Sequence, residues 1–321
     1  MMSEEMVCRK RRLSSFQIII LGFAGVILLG ALLLMLPISA TARCVTPFNE
    51  ALFTATSAVC VTGLVVQDSC ISEYIGCHIF NSVGITAQET ILGVYRKGGV
   101  EKIVVACKDF TSPGIVLQDF ASLKNTVINS SHNGYGTELT GIMQAMDEQT
   151  AFSPPLLKQY FWDVFIVDAL IGNWNRHNGN WGVLYNTTTD EVSIAPVYDC
   201  GSSLYPQADE AIMRATLENQ PQRDLRTFSQ PLSVVKINNQ QINYFDFISS
   251  LKNADCNRAL KRILPKVNIN HIFRIVDETP FISELQKQFY KTMLQSRKER
   301  ILDFSMEKLL EREKEQQRCT R

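Results

Sequence analysis

The first pattern along the chain is an uncharged apolar stretch at residues 16–36. At a rise of about 1.5 Å per residue, a helix of this length would span about 31 Å, close to the hydrocarbon thickness of a bilayer. Four basic residues stand directly before it, at positions 9–12. The pattern predicts one membrane helix that ends at Pro37, with the N-terminus on the cytoplasmic side. A secretory signal peptide is the alternative, although its apolar region is shorter.

A second apolar segment follows that is too short to cross a membrane. Residues 47–58 fit a short amphipathic helix, and residues 59–64 form an apolar, β-branched run that contains Thr62 and Gly63. A short helix that runs into an extended segment with glycine is typical of a pore loop, which exposes backbone carbonyls to a cation. A buried strand would give the same pattern, so the residues alone leave both interpretations open.

From residue 71 onward the pattern predicts a globular α+β region. Apolar residues at 71, 75, 79 and 83 predict a helix, and two β-branched segments joined by Gly98 and Gly99 predict a hairpin. A second hairpin is predicted around residues 186–190, and the chain beyond residue 206 is predicted to be helical. The predicted strands are 90–95 and 102–110, and the predicted helices include 71–83, 120–130, 139–146, 156–170 and 283–317.

Composition and charge narrow the classes of function. Hydrophobic residues make up 45% of the chain and charged residues 20%, which is typical of a folded protein rather than a disordered one. The 32 basic and 32 acidic residues cancel, so net charge gives no reason to expect nucleic-acid binding. Nine cysteines form no CxxC pair and only four histidines are present. We therefore expect buried cysteines in a reducing compartment rather than a zinc cluster.

One group of polar residues follows the apolar helix predicted at 156–170. Asn175 and Asn180 are five positions apart, and Asp199 lies beyond the second predicted hairpin. In protein kinases a catalytic aspartate and a metal-binding asparagine have this spacing, and a metal-binding aspartate follows on the next hairpin. The spacing therefore indicates a phosphoryl-transfer site. The alternative is a polar loop whose side chains only cap turns.

Four segments in this part of the chain read ISEYIGCHIFNSVGI, VVACKDF, FWDVFIVDALIGNWNRHNGNWGVLY and IAPVYDCGSSLYPQ. They resemble the HipA-like serine/threonine kinases, nearest the CtkA-type branch, and the resemblance covers residues 71–300. It implies ATP and Mg²⁺ as cofactors, and a protein substrate or a small toxin–antitoxin-type partner. It also implies roles for particular residues: Asn180 and Asp199 as Mg²⁺ ligands, Arg176 and His177 as structural partners in the catalytic loop, and Cys107, Lys108 and Asp109 in a hinge that contacts adenine.

The chain departs from this kinase pattern at two places. The position of the catalytic aspartate holds Asn175, and an amide cannot accept the proton of a substrate hydroxyl. The phosphate-binding loop and its lysine should also precede the helix that carries Glu73, where the chain has other sequence. Lys108 follows that helix and is rejected as the missing lysine. Glu73 is expected either to have lost its lysine partner or to be an exposed acid at a helix start.

The N-terminal segment resembles a different family. Residues 13–68, which include ALLLMLPIS and TPFNEALFTATSAVCVTGLVVQD, look like the start of a TrkH/KtrB-type potassium transporter subunit. The resemblance implies a first membrane span, a first pore helix and one selectivity-filter segment at Thr62 and Gly63. A complete pore needs four such repeats, so K⁺ is expected as a ligand only if partners supply the rest. The economical interpretation is a fusion of two gene fragments near residue 70.

These observations predict three units and one preferred function. The units are a transporter-like segment at 1–70, a truncated β-containing N-lobe remnant at 71–150, and a mostly helical kinase-like C-lobe at 151–321. We expect a serine/threonine kinase fragment that is weak or inactive because Asn175 occupies the position of the catalytic aspartate and the phosphate-binding loop is missing. The alternatives are a fragment of a potassium transporter and a non-catalytic binding module. The location is membrane-associated if the N-terminal helix crosses a bilayer, and cytoplasmic otherwise.

Overall fold

The computed structural model describes residues 15–36, 69–128 and 134–319, and the chain divides into two units, Met1–Val66 and Gln67–Arg321. In the first unit the described residues form one helix, α1 (Ser15–Leu34). Leu29 and Leu32 on this helix are more than half exposed.

The predicted membrane span is not confirmed. Nowhere in the described ranges is a helix long and apolar enough to cross a membrane. Helix α1 also ends at Leu34, whereas the apolar stretch in the sequence continues to residue 36. The predicted pore helix at 47–58, with Thr62 and Gly63, lies outside the described residues.

The second unit begins with a helix that packs on a β-hairpin. Helix α2 (Ser69–Ser82) precedes strands β1 (Thr90–Lys97) and β2 (Val100–Cys107), which pair antiparallel. Gly98 and Gly99 both have positive φ, as a two-residue hairpin turn requires. The hairpin is confirmed, but β2 ends at Cys107 rather than at residue 110.

A three-stranded antiparallel sheet lies further along the chain. Strand β3 (Ile115–Asp119) pairs with β4 (Gly182–Asn186), which pairs with β5 (Glu191–Ile194). The β4–β5 hairpin was predicted, whereas β3 was not. Gly182 allows β3 and β4 to approach closely, because a Cβ atom there would lie 2.2 Å from the Gln118 carbonyl oxygen.

Most of the second unit is helical, as predicted. Its remaining α-helices are α3 (Phe120–Val127), α4 (Leu139–Glu148), α5 (Pro154–Ile171), α6 (Glu210–Glu218), α7 (Gln220–Asp224), α8 (Tyr244–Ser250), α9 (Ala254–Ile263), α10 (Ile269–Glu278), α11 (Glu284–Arg297) and α12 (Phe304–Cys319). The region beyond residue 206 also contains a short hairpin, β6 (Lys236–Ile237) with β7 (Gln240–Gln241), which was predicted as helix. The single helix predicted at 283–317 is interrupted by a π-helical turn, Lys298–Asp303.

Helix α5 is the centre of the core. Its apolar residues are buried on nearly every side, including Trp162 and Leu170, which are fully buried. Pro154 in the first turn is favourable because its missing N–H needs no partner there. Gly172 ends the helix with a φ of 65°, and its N–H donates to the Asp168 carbonyl oxygen. The α+β class with mostly helical content is confirmed, and the boundary expected near residue 150 stays a prediction.

Candidate active site

The loop that follows helix α5 is held by buried polar side chains. Asp168 in the last turn of α5 accepts a 3.0 Å hydrogen bond from the Asn173 amide, and both residues are almost fully buried. The Asn173 side-chain oxygen in turn accepts the N–H of Asn175 at 3.0 Å. Tyr244 of α8 donates to the Asn173 carbonyl oxygen at 2.6 Å. These buried side chains of the core therefore fix the position of Asn175.

Arg176 is the centre of this network. Its guanidinium forms a 3.2 Å ion pair with Asp168, and both side chains are more than nine-tenths buried. Burial acts to lower the pKa of Arg176, but the Asp168 carboxylate more than offsets this, so the pKa lies well above its usual value. Arg176 thus stays charged inside the protein, where a buried charge needs a paired partner.

The same guanidinium joins the two loops that carry the predicted metal ligands. Its Nη1 atom donates to the carbonyl oxygens of Asn180 at 3.0 Å and Asp199 at 3.2 Å, and also to that of Tyr198. Tyr198 donates from its hydroxyl to the Gly179 carbonyl oxygen at 2.9 Å. The Asn180 and Asp199 backbones are therefore brought together by one side chain.

The donor atoms of this pair suit a hard cation. The Asn180 amide nitrogen donates to the Asn175 carbonyl oxygen at 3.0 Å, which leaves the amide oxygen as the candidate metal ligand. Asp199 has a positive φ of 55° and is exposed, so its carboxylate can reach a ligand. Amide and carboxylate oxygens are the ligands that Mg²⁺ prefers. The residues present thus fit the magnesium ion that the resemblance implies.

Asn175 and His177 lie on the same loop as the candidate ligands. Asn175 is half-buried, and its carbonyl oxygen accepts the N–H of His177 at 2.8 Å. The His177 ring nitrogen Nδ1 accepts the Gly179 N–H at 3.1 Å, and burial lowers the pKa of His177. This favours a neutral imidazole with a structural role in the loop.

Glu73 reaches this site from helix α2. It is only 7% exposed, so the alternative of an exposed helix-start acid is wrong. Burial raises its pKa, as does the nearby Asp199 carboxylate, while Arg176 and a hydrogen bond from Cys77 act to lower it. The pKa of Glu73 thus depends on the charge of Asp199 in the neighbouring loop.

The predicted hinge residues lie at the end of strand β2 and directly after it. Burial raises the pKa of Cys107, and so does the carboxylate of Glu73. Lys108 forms a 2.7 Å ion pair with Glu89, and both side chains are largely exposed. Asp109 accepts two hydrogen bonds from Thr111. Lys108 is therefore engaged away from Glu73, which agrees with rejecting it as the missing lysine.

Sequence reasoning missed several residues that build the site. Asp168, Asn173 and Asn178 are buried and hydrogen-bonded in or beside the loop. Asn178 donates from its amide to the carbonyl oxygens of Gly134 at 2.8 Å and Gly136 at 3.0 Å. One signal was available: Asp168 is an acid near the end of a strongly apolar helix, and such an acid needs a cationic partner.

Comparison with known proteins identifies the fold class first. The chain superposes on the crystal structure of a proinflammatory kinase, CtkA, from Helicobacter pylori with a TM-score of 0.72 and 46% identity, covering 76% of this chain and 81% of that one. The fold is therefore kinase-like. The curated serine/threonine-protein kinase CtkA of H. pylori strain J99 is 46% identical over 245 residues, or 76% of this chain and 74% of the relative. The chain belongs to the CtkA-type serine/threonine kinase family.

Two other similarities are weaker. HipA of Shewanella oneidensis MR-1, solved with HipB and operator DNA, matches with a TM-score of 0.40 and 15% identity over 74% of this chain and 57% of that one. The potassium/sodium uptake protein NtpJ of Enterococcus hirae is 54% identical over 55 residues, which is 17% of this chain. The chain spans only 12% of NtpJ, so potassium transport does not follow. No protein-family model matches the chain.

Proposed function

We propose that this chain binds ATP and Mg²⁺ as a CtkA-type kinase, and that its phosphoryl transfer to a protein hydroxyl is weak because Asn175 stands in the base position. The observation that carries the proposal is the contact of one buried guanidinium, that of Arg176, with the carbonyl oxygens of both Asn180 and Asp199. These contacts bring the backbones of the two candidate metal ligands together without using the side chain at position 175.

Asn180 and Asp199 would hold the metal ion through oxygen atoms. When bound, Mg²⁺ would neutralise the negative charge of the phosphates. The residues at the end of β2 and directly after it, Cys107 to Asp109, would meet the adenine through their backbone. Phe110 supports this placement, because its ring packs on that of Tyr198 at 5.6 Å between centroids, directly beside Asp199.

Asn175 accounts for the expected loss of rate. A carboxylate at this position orients the substrate hydroxyl and accepts its proton, and an amide does neither. Removing a general base slows a reaction by about 10²- to 10⁴-fold. The Asn175 N–H and carbonyl oxygen are both hydrogen-bonded to neighbouring residues, so an aspartate should fit the same backbone.

The test is phosphoryl transfer from labelled ATP, measured with the full chain for autophosphorylation and with a generic protein substrate. We expect Asn175→Asp to raise the rate by about 10²- to 10⁴-fold, whereas the matched Asn175→Ala stays at the wild-type level. A wild-type rate equal to that of Asn175→Asp would contradict the impaired-base part of the proposal. Nucleotide binding without transfer in either chain would instead favour a non-catalytic binding module.

A further inference from the structure

Three chemically reactive side chains meet behind the Asp199 loop. Glu73 and Cys77 lie one turn apart on α2, and Cys200 follows Asp199 directly. One ligand atom of each residue lies within 4.8 Å of the other two, and the Cys77 thiol donates to Glu73 Oε1 at 3.4 Å. Cys77 and Cys200 are fully buried and Glu73 is nearly so.

The proposed kinase function does not use this group. In active kinases the corresponding helix glutamate pairs with a strand lysine. The charged residues that act on Glu73 here are Asp199 and Arg176, and within the described ranges the pairing lysine is not among them. The buried carboxylate instead faces two thiols, which is an unusual environment for a group that normally binds a cation.

The spacing of these atoms matches a thiophilic metal ion. Zinc binds cysteine sulfur at about 2.3 Å and carboxylate oxygen at about 2.0–2.2 Å in a tetrahedron, which places the donor atoms about 3.5–3.8 Å apart. The separation of the Cys77 sulfur from Glu73 Oε1 is 3.4 Å, close to that range, and the other two separations are within 4.8 Å. Helix α2 also comes close to Cys200, because a Cβ on Gly76 would lie 2.6 Å from the Cys200 Cβ.

An outer contact also suits such an ion. A divalent cation would balance two of the three negative charges of two thiolates and one carboxylate, and the Arg176 guanidinium, which is ion-paired with Asp168, lies beside them. The Arg176 Nη2 atom already donates to the Cys200 sulfur at 3.2 Å, the type of outer contact that orients a metal ligand. On binding, each thiol would release its proton to solvent.

We propose that Glu73, Cys77 and Cys200 form a binding site for Zn²⁺, which would join helix α2 to the loop of Asp199. The ion would hold this helix against the loop of Asp199 in a chain that lacks the lysine–glutamate pair. That consequence rests on the proposed kinase function, whereas the site itself does not.

Cobalt(II) is the direct probe, because thiolate ligands give it an intense near-ultraviolet charge-transfer band. We expect the chelator-treated full chain to bind one Co²⁺ with this band, and Zn²⁺ to displace it. Cys77→Ser and Cys200→Ser should each abolish or strongly reduce the band. Glu73→Gln should weaken binding by about 10- to 100-fold or more. The matched control is Cys256→Ser, which removes another buried cysteine from α9 and should keep the band.

A second measurement guards against variants that fail to fold. In the wild-type chain, Zn²⁺ should protect Cys77 and Cys200 from alkylation after partial unfolding, and mass spectrometry should show no such protection at Cys256. Absence of the cobalt band in the folded wild type would overturn the proposal. So would equal protection of all three cysteines, or formation of a Cys77–Cys200 disulfide with peroxide in a chain that binds no zinc. None of these results depends on phosphoryl transfer.

Discussion

The loops around Arg176 and the β1–β2 hairpin belong to the same kinase-like unit, but they differ in how they are held. Arg176 and Asp168 are buried, and their hydrogen bonds join the loop of Asn180 to that of Asp199. The hairpin leaves Ile91 72% exposed and Tyr95 53% exposed. Two-stranded ribbons have little stability of their own. The loops that carry the candidate metal ligands are therefore held by the core, while the hairpin depends on helix α2.

The largest expected effect comes from breaking the central ion pair. Arg176→Met leaves the Asp168 carboxylate buried without its cation, which should cost about 3–5 kcal/mol in the free energy of unfolding. The matched control is Arg262→Met. It removes the cation that forms a 2.7 Å ion pair with Asp163, which also lies on helix α5. That pair is partly exposed, so the loss should be about 1 kcal/mol or less. Denaturant unfolding of both variants measures the difference.

A similar loss in the two arginine variants would show that Arg176 does not join the loops. Asp168→Asn in the Arg176→Met background provides a further check. It removes the unpaired charge and should recover part of the lost free energy of unfolding.

A smaller loss of stability should distinguish the close packing of helix α2 from the open packing of the β1–β2 hairpin. Gly76→Ala places a Cβ 2.6 Å from the Cys200 Cβ, whereas Gly93→Ala in β1 meets nothing within 4 Å. Helix propensity alone would favour alanine at position 76 by about 1 kcal/mol. A net loss of about 1–3 kcal/mol is expected because the Cys200 Cβ is attached directly to the backbone and has little freedom to move away. Gly93→Ala should change the free energy of unfolding by less than about 0.5 kcal/mol. Thermal unfolding that ranks the two variants in the opposite order would contradict the packing of α2 on the Asp199 loop.

The smallest effect should be a change in pH dependence. The pKa of Glu73 is raised above its ordinary value of 4.5, chiefly by burial. The folded chain then holds a proton that the unfolded chain has released, so this contribution to stability is present below pH 4.5 and is lost as the pH rises through the folded-state pKa. In the presence of a chelator, the wild type should lose more stability above pH 4.5 than Glu73→Gln does.

The control for the pH experiment is Glu191→Gln, a substitution at an exposed position in β5. Its unfolding free energy should follow the wild-type pH profile. If Glu73→Gln and Glu191→Gln give superimposable profiles, the burial of Glu73 has no consequence for its charge.

The sequence predicted the elements whose signals are local. Helix α5 follows from an apolar run between prolines and a glycine, and the β1–β2 hairpin follows from Gly98 and Gly99, which supply positive φ. Strand β3 was missed because its five residues show no clean alternation and their burial depends on pairing with β4. The break between α11 and α12 was also missed, since the π-helical turn interrupts no hydrophobic pattern.

The site was only partly predictable, because some of its contacts arise from tertiary packing rather than from a local sequence pattern. The five-residue spacing from Asn175 to Asn180 is visible in the sequence, and so is Asp199 beyond the hairpin. The contact of Arg176 with Cys200 and Asp168 is a product of packing, as is the meeting of Cys77 with Cys200. Cys77 and Cys200 are far apart along the chain, whereas Arg176 lies 24 positions from Cys200 and eight from Asp168, and no periodicity encodes these contacts.

Equilibrium binding of a non-hydrolysable ATP analogue in the presence of Mg²⁺ tests the central claim most directly. The claim is that the chain retains its candidate metal ligands and still binds nucleotide, although Asn175 replaces the base and the phosphate-binding loop is missing. The wild type and Asn175→Asp should bind the analogue with the same Kd, and Asp199→Asn should bind it far more weakly. A wild-type chain that is folded but does not bind, or an Asp199→Asn variant that binds as well as the wild type, would contradict the account.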